Sequence, residues 1–121
     1  MTIKAVRFVG MRTDKLQEHT ALFRDLLGLE PVREEPQLTE FRLGDGTRFE
    51  LYGPEDTFHA FFRTGPVVGF EVPDFDATKQ KMQAAGFAFI GESQHEAGIS
   101  WQHFHLPDGT VVEIIGRGRP T

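Results

Sequence analysis

Two glutamates lie inside short apolar runs that are almost identical in sequence. The segments "LGDGTRFELYG" (43–53) and "LPDGTVVEIIG" (106–116) share Leu, Asp, Gly, Thr, Glu and the closing Gly at the same spacing. A charged side chain within an apolar strand is costly unless another group meets it. Glu50 and Glu113 are therefore candidates for binding a ligand, for holding a metal ion or for acid–base chemistry. The alternative is that they only form hydrogen bonds or ion pairs with Arg48, Arg42 or Arg12.

Two histidines and a tryptophan show the same alternation. His103 and His105 flank Phe104, so on an extended strand both imidazoles lie on one face, which Trp101 shares. Imidazoles can act as acid or base near neutral pH, and an indole can stack on a planar ligand. Alternatively, the histidines are solvated positions on a half-open sheet and Trp101 is a rim residue.

The composition excludes several classes of protein. The chain has 121 residues, which is enough for one domain with its own core. It contains no cysteine, so disulfides, thiolate metal sites and a cysteine nucleophile are excluded. No segment is typical of a secretory signal or a membrane span, and we expect a cytoplasmic protein without a membrane partner.

The charge argues against a nucleic-acid partner. The formal net charge is -5, whereas nucleic-acid-binding domains carry a basic surface. The segment 117–120, Arg-Gly-Arg-Pro, is similar to the core of a minor-groove AT-hook. It occurs once, on an acidic domain, so we expect a frayed tail over 117–121 and no nucleic-acid binding.

Apolar alternation predicts strands in the same order in both halves of the chain. The predicted runs are 8–13, 30–34, 38–43, 48–52, 67–72, 88–92, 101–106 and 111–115. The pairs Asp45-Gly46 and Asp108-Gly109 are hairpin-turn signals before the last run of each half. Register in each hairpin should therefore be set by its turn.

One helix is predicted after the first strand of each half. Start signals occur at Thr13 or Asp14 and at Asp74 or Asp76. Glycine after the last periodic residue predicts where each helix ends. The residues expected to face the core are Leu16, Phe23, Leu26 and Leu27 before Gly28, and Phe75, Met82 and Ala85 before Gly86.

The chain thus consists of two βαβββ modules in one domain. The predicted boundaries are module 1 at about 1–53, a joint at 54–66, module 2 at about 67–116 and a tail at 117–121. The joint carries Phe58, Phe61 and Phe62, which would form a sticky patch if exposed. We expect these rings to be buried against a module or against a second chain.

Two βαβββ units, each with an Asp-Gly hairpin before a glutamate-bearing strand, resemble the vicinal oxygen chelate superfamily. This is the glyoxalase, bleomycin-resistance and extradiol dioxygenase group. The segments "GFEVPDFDA" and "HFHLPDGTVVEIIG" carry the resemblance most specifically. It implies an α+β fold in which two modules form an open, concave pseudo-barrel around a small ligand, and it implies a homodimer.

Strand alternation then divides the side chains between two faces. Those expected beneath the helices are Val9, Met11, Phe41, Leu43, Phe49, Leu51, Val68, Phe70, Phe104, Leu106, Val112 and Ile114. The ligand-binding candidates on the concave face are Arg12, Arg42, Glu50, Tyr52, Glu71, Trp101, His103 and Glu113. Glu40 shares that face.

The resemblance also identifies four positions at which metal enzymes of the family place ligands. They correspond to Phe8, Glu50, Val67 and Glu113, with Arg7 as the alternative to the first. Neither phenylalanine, arginine nor valine binds a divalent cation, and two carboxylates alone make a poor transition-metal site. We therefore expect no cofactor. The alternative is a divalent metal at Glu50 and Glu113, completed by His103 or His105.

These observations predict a small-molecule-binding protein of the bleomycin-resistance type with a degenerate metal site. The alternative is an enzyme of the same fold, a lyase, isomerase or dioxygenase, that uses a metal or acid–base chemistry by His103 and the two glutamates. The residues identify neither the ligand nor a catalytic group, because function depends on the site and not on the fold.

Overall fold

A computed structural model describes residues 2–117, which fold into two compact units. The first unit is Phe8–Val67, and the second combines the described parts of Met1–Arg7 and Val68–Thr121. In each unit a helix packs on one face of a mixed sheet, so the fold class is α+β, as predicted. The predicted tail, 117–121, lies outside the described residues after Arg117.

The elements follow the predicted order βαβββ-βαβββ. The strands are β1 Ala5–Arg12, β2 Pro31–Glu35, β3 Leu38–Arg42, β4 Arg48–Tyr52, β5 Val67–Glu71, β6 Phe89–Glu96, β7 Ile99–His105 and β8 Val111–Arg117. The helices are α1 Leu16–Ala21, continued by a π-helix over Leu22–Leu26, and α2 Phe75–Ala84.

The sheet of the first unit has the order β2-β3-β4-β1, with β4 parallel to β1. Its core is formed by Leu16, Phe41, Phe49 and Leu51. The edge of the Phe23 ring contacts Phe49 at a centroid distance of 4.7 Å. The predicted alternation of β4 is therefore confirmed, since Phe49 and Leu51 face the helix.

The sheet of the second unit has the order β5-β8-β7-β6, with β5 parallel to β8. Its core contains Val72, Phe75, Phe104, Val112 and Ile114. Asp74, one of the two predicted start signals, is the N-cap of helix α2, and its Oδ1 accepts a hydrogen bond from Ala77 N at 3.0 Å.

The two Asp-Gly turns repeat each other in detail. Asp45 Oδ1 accepts a hydrogen bond from Thr47 N at 3.0 Å, and Asp108 Oδ1 accepts one from Thr110 N at 3.0 Å. The glycine after each aspartate has a positive φ, 88° and 92° respectively, which favours glycine at that position. The repeated sequence thus produces the same turn twice.

The predicted core face of the first helix is wrong after Phe23. Leu26 and Leu27 are 78% and 61% exposed. Leu27 N bonds to Leu22 O at 3.0 Å, an i→i+5 contact that widens the helix and rotates the following side chains away from the sheet. Thr13 lies before the helix, where its hydroxyl accepts a hydrogen bond from Lys15 N.

Three further apolar residues differ from the sequence-based expectation. Ala85 is exposed because α2 ends at Ala84, and Leu106 is exposed because it follows the last residue of β7 and begins the turn. In the joint, Phe62 is buried but Phe58 is exposed. Phe58 is therefore not buried against its own module, and its burial against a second chain stays a prediction.

Within residues 2–117, none of the helical segments has the length and apolar character that a membrane span requires.

Candidate functional site

Glu50 lies on the face of the first sheet that the helix does not cover. The alternation of β4 places it beside Tyr52 and opposite to Phe49 and Leu51. The Tyr52 hydroxyl donates a hydrogen bond of 2.5 Å to Oε1 of Glu50, and Arg48 Nη1 lies 4.0 Å from Oε2. Both side chains are buried, so this carboxyl is met by a protein donor in a partly dry environment.

Burial raises the pKa of the Glu50 carboxyl above its ordinary value. The hydrogen bond from Tyr52 opposes this effect, the charge of Glu40 adds to it, and Arg48 opposes it. Glu40 contributes because it stands directly opposite Glu50 in the β3–β4 pairing. A carboxyl whose neutral form is favoured in this way can exchange protons nearer to neutral pH than an exposed one.

The joint, residues 54–66, packs over Tyr52. The His59 imidazole stacks on the Tyr52 ring with centroids 3.6 Å apart and an interplanar angle of 13°. His59 Nδ1 lies 2.9 Å from Asp56 Oδ2, and the Phe62 ring meets Tyr52 edge-on at 5.6 Å. Sequence reasoning missed His59 and Asp56. Their i,i+3 spacing was a signal, but the stack depends on tertiary packing that the sequence does not display.

Arg12 fixes the start of the joint. Its Nη2 donates a hydrogen bond of 2.7 Å to Pro54 O, and its Nε donates one of 3.2 Å to Asp56 O. Of the predicted ligand-binding candidates, Arg12 is thus the one whose described contacts are with backbone of the joint. It is also paired directly with Tyr52 in the β1–β4 register.

Phe8 stands where the family resemblance places a metal ligand. The side chain is buried, and its ring lies over Gly10, the next residue on the same face. A methyl group at Gly10 would overlap the Phe8 ring and approach Phe62 closely. This part of the first unit therefore presents aromatic surface.

Arg42 belongs to a group of arginines around Glu40. Glu40 lies on β3 between Arg33 of β2 and Glu50 of β4 in the strand pairing. Its carboxylate is within 3.4–3.8 Å of the guanidinium groups of Arg33, Arg42 and Arg48. Arg42 thus contacts Glu40, which is paired with Glu50 across the strands. Arg33 and Arg48 contact the same Glu40 carboxylate.

In the second unit, Glu113 and His103 form a buried pair. The two residues stand directly opposite each other in the β7–β8 pairing, and His103 Nε2 lies 3.1 Å from Glu113 Oε2. Both residues are buried, as expected for positions that need a partner. An imidazole in contact with a carboxylate is an arrangement that can hold or transfer a proton.

The duplication extends to the neighbours of the two glutamates. Across the paired strands, each glutamate lies between a glycine and a titratable residue: Gly10–Glu50–Glu40 in the first unit and Gly69–Glu113–His103 in the second. The two units therefore repeat the same strand pairing, but the residue opposite the glutamate is acidic in the first unit, Glu40, and a histidine in the second, His103.

The remaining candidate residues of the second unit have described neighbours other than His103 and Glu113. Glu71 Oε1 accepts a hydrogen bond of 2.7 Å from Arg7 Nε, which lowers the pKa of that carboxyl. Trp101 is half-buried opposite Ile115. His105 lines a shallow depression of about 300 Å³ at the end of α2.

Only two of the four positions at which the family resemblance places metal ligands carry a side chain with donor atoms, Glu50 and Glu113. Val67 is fully buried and, like Phe8, has no donor atom in its side chain. Among residues 2–117, no group of three or more His, Asp or Glu side chains is arranged to hold a metal ion.

A family model described as the glyoxalase/bleomycin resistance protein/dioxygenase superfamily matches residues 5–114. The match covers both βαβββ modules and both glutamates. The chain therefore belongs to this superfamily, and the resemblance inferred from its sequence motifs is confirmed. A comparison with curated protein sequences gave no match.

Solved structures share the fold. A superfamily member from Vibrio splendidus 12B01 is 20% identical with a TM-score of 0.69, covering 93% of this chain and 99% of its own. Methylmalonyl-CoA epimerase from Mycobacterium tuberculosis is 20% identical with a TM-score of 0.69. The alignment covers 98% of this chain and 90% of the epimerase chain. The Mn(II)-bound glyoxalase from Novosphingobium aromaticivorans is 20% identical with a TM-score of 0.75, covering 98% of this chain and 42% of its own. The predicted glyoxalase/bleomycin-resistance fold is thus confirmed.

Proposed function

We propose that this chain is a small-molecule-binding protein of the bleomycin-resistance type that binds its ligand without a metal ion. The observation that carries the proposal is the chemistry of two of the four family metal positions. Phe8 and Val67 are apolar and buried, and neither an aromatic ring nor an isopropyl group offers the oxygen or nitrogen donor that a divalent cation needs. The residues present therefore do not fit the metal site of the family.

The two remaining positions support ligand binding in another way. Glu50 is in contact with Tyr52, and Glu113 is in contact with His103. A buried carboxyl with one close protein partner has further lone pairs with which it can accept a hydrogen bond from a ligand. Such a bond in a partly dry site is stronger than one at the surface.

The surroundings of Glu50 favour a ligand with both polar and flat apolar parts. The rings of Phe8 and Phe62 lie close to Gly10, which neighbours Glu50 in the strand pairing. Aromatic surface beside a carboxyl suits a planar group that bears a hydrogen-bond donor. Trp101 is a second aromatic candidate, in the other unit.

A second candidate function is an acid–base enzyme that uses no metal, such as an isomerase or epimerase. The raised pKa of Glu50 and the contact of His103 with Glu113 favour it, because both are typical of groups that transfer protons. The fold neighbour named a methylmalonyl-CoA epimerase supports the same reaction class. In this function Glu50 would remove a proton from the ligand, and the protonated carboxyl would return one.

A homodimer and a cytoplasmic location are part of the proposal. The exposed ring of Phe58 supports the homodimer, since a large apolar side chain on the surface is typical of an interface. The composition, with no cysteine, supports the cytoplasm.

Elemental analysis combined with thermal-shift screening tests the proposal. We expect no stoichiometric transition metal in the purified protein. We also expect that some compounds in the screen raise the melting temperature, and that a chelator does not change this increase. Near one equivalent of zinc, nickel, iron or manganese per chain, lost in Glu50→Gln but kept in the surface variant Glu55→Gln, would overturn it. Incubation of each stabilising compound in D₂O separates the two candidates, because only an enzyme would catalyse exchange of a carbon-bound proton.

A further inference from the structure

Three arginines converge on one buried carboxylate in the first unit. The Glu40 side chain is only 8% exposed, whereas Arg33, Arg42 and Arg48 are between 45% and 54% exposed. Their nearest nitrogens lie 3.5, 3.4 and 3.8 Å from the Glu40 oxygens. The carboxylate is thus largely shielded from solvent, whereas the three guanidinium groups remain about half exposed.

The strand pairing forces two of these arginines together. Arg42 stands directly opposite Arg48 on the same face of β3 and β4. Like charges at directly opposed positions destabilise a sheet. Glu40, two residues before Arg42 on the same face of β3, offsets part of this repulsion. A bulge between Pro31 and Arg33 brings the third arginine onto that face. The cluster is therefore held by the backbone.

The contacts with Glu40 leave capacity for another anion. A guanidinium group has five N–H donors, and the described contacts of Arg42 and Arg48 with Glu40 use one nitrogen each, at 3.4 Å or more. Contacts of this length are looser than a charge-assisted hydrogen bond. A bidentate bond to an oxyanion, with N–O distances near 2.8 Å, is much stronger. The outer N–H groups of the cluster are thus suited to a second, solvent-borne oxyanion.

Other carboxylates on the patch limit its charge but do not cover it. Glu35 lies 3.5 Å from Arg33 Nε, at the edge of the sheet. Glu50 Oε2 lies 4.0 Å from Arg48 Nη1, and the Glu50 side chain is buried. Arg42 and Arg48 therefore form the part of the cluster where a ligand meets positive charge first.

We propose that Arg33, Arg42 and Arg48 form an oxyanion-binding site for a carboxylate or phosphate group of the small-molecule ligand. The site rests on the proposed function, since the anionic group belongs to the ligand that contacts Glu50. It names the chemical class of that ligand: a small organic acid or phosphorylated compound. Glu40 contacts all three guanidinium groups of the site.

NMR titration of the ¹⁵N-labelled full chain with malonate and with inorganic phosphate tests the site. Ionic strength is kept constant with sodium chloride, so that general screening does not change. We expect saturable shifts of the Arg42 and Arg48 Nε–Hε signals. The probe with the higher affinity identifies the group, malonate for a carboxylate and phosphate for a phosphoryl ligand.

Arginine variants show whether the binding is specific. Arg42→Gln and Arg48→Gln should each weaken the affinity for the better probe by about tenfold, the scale of one charge-assisted interaction. Arg24→Gln is the matched control, because Arg24 is an exposed, ion-paired arginine of the same unit outside the cluster. We expect it to leave the affinity unchanged. Circular dichroism spectra of all variants check that the fold is intact.

Two results would overturn the site. One is the absence of saturable shifts with either probe, and the other is equal weakening by Arg24→Gln and Arg48→Gln. The proposed function fails separately, since it is tested by metal content and by the dependence of ligand binding on Glu50. A neutral ligand that binds without a metal and depends on Glu50 would keep the proposed function and overturn the oxyanion site.

Discussion

Glu40 and Glu50 stand directly opposite each other across β3 and β4, on the face of the sheet that the helix leaves uncovered. Their environments differ: three guanidinium groups surround Glu40, whereas burial and a single tyrosine hydroxyl dominate at Glu50. One carboxylate is thus matched by positive charge and the other has a raised pKa. Such a difference between neighbouring carboxyls is typical of sites that bind ligands or exchange protons.

The raised pKa of Glu50 predicts a pH-dependent effect of Glu50→Gln. A carboxyl whose pKa is higher in the folded state stabilises the fold below its ordinary pKa, and this contribution is lost as pH rises through the folded pKa. Glutamine does not ionise, so the melting temperature of the variant should rise relative to wild type as pH increases from about 4, near the ordinary glutamate pKa, through the raised folded pKa. The difference should stay within a few degrees, roughly 1 kcal/mol or less.

Thermal unfolding followed by circular dichroism over this pH range measures the effect. The exposed Glu55→Gln is the control and should show no such trend relative to wild type. A difference between Glu50→Gln and wild type that does not change with pH would contradict the burial of an ionisable Glu50.

Tyr52→Phe should raise the pKa of Glu50 further. The change removes the hydroxyl that donates to Glu50 but keeps the ring that stacks on His59. Because this hydrogen bond favours the charged carboxylate, its loss favours the neutral form. We expect a loss of about 1–2 kcal/mol at neutral pH from the unmet carboxylate, measured by denaturant unfolding. A ¹³C NMR titration of Glu50 that shows the same or a lower pKa would disprove the role of Tyr52.

His59→Ala should loosen the joint more than it destabilises the molecule. The imidazole is one of two joint rings that pack on Tyr52, with Phe62, and an aromatic contact of this kind contributes about 0.5–1.5 kcal/mol. Hydrogen exchange should therefore accelerate in residues 54–66 and stay unchanged in α2. His19→Ala, on the surface of α1, is the control. Equal acceleration in both variants would show that the stack does not hold the joint.

The sequence predicts those features of the site that depend on local periodicity. The alternation of β4 and β8 is sufficient to place Glu50 and Glu113 opposite the core residues beside them, and the Asp-Gly pairs are sufficient to predict the two turns. Arg33 could not be assigned to a face, because the bulge after Pro31 changes the alternation of β2 without a sequence signal. The exposure of Leu26 and the stacking of His59 depend on a π-helical turn and on tertiary packing.

We expect a homodimer in solution. Phe58 in the joint is exposed in the single chain, and an interface would bury it. Light scattering should give twice the chain mass at micromolar concentration, and Phe58→Ser should shift the equilibrium towards the monomer. A monomer mass for the wild-type protein would rule out this assembly.

Calorimetric titration with a ligand from the thermal-shift screen tests the central claim most directly. It is carried out on chelator-treated wild type, Glu50→Gln, Glu113→Gln and the control Glu55→Gln. We predict that wild type and Glu55→Gln bind with equal affinity without metal, and that each of the other variants binds about tenfold more weakly, the scale of a lost hydrogen bond to a charged group. Binding that disappears on chelation and returns with a divalent cation, or that is normal in both glutamine variants, would contradict the account.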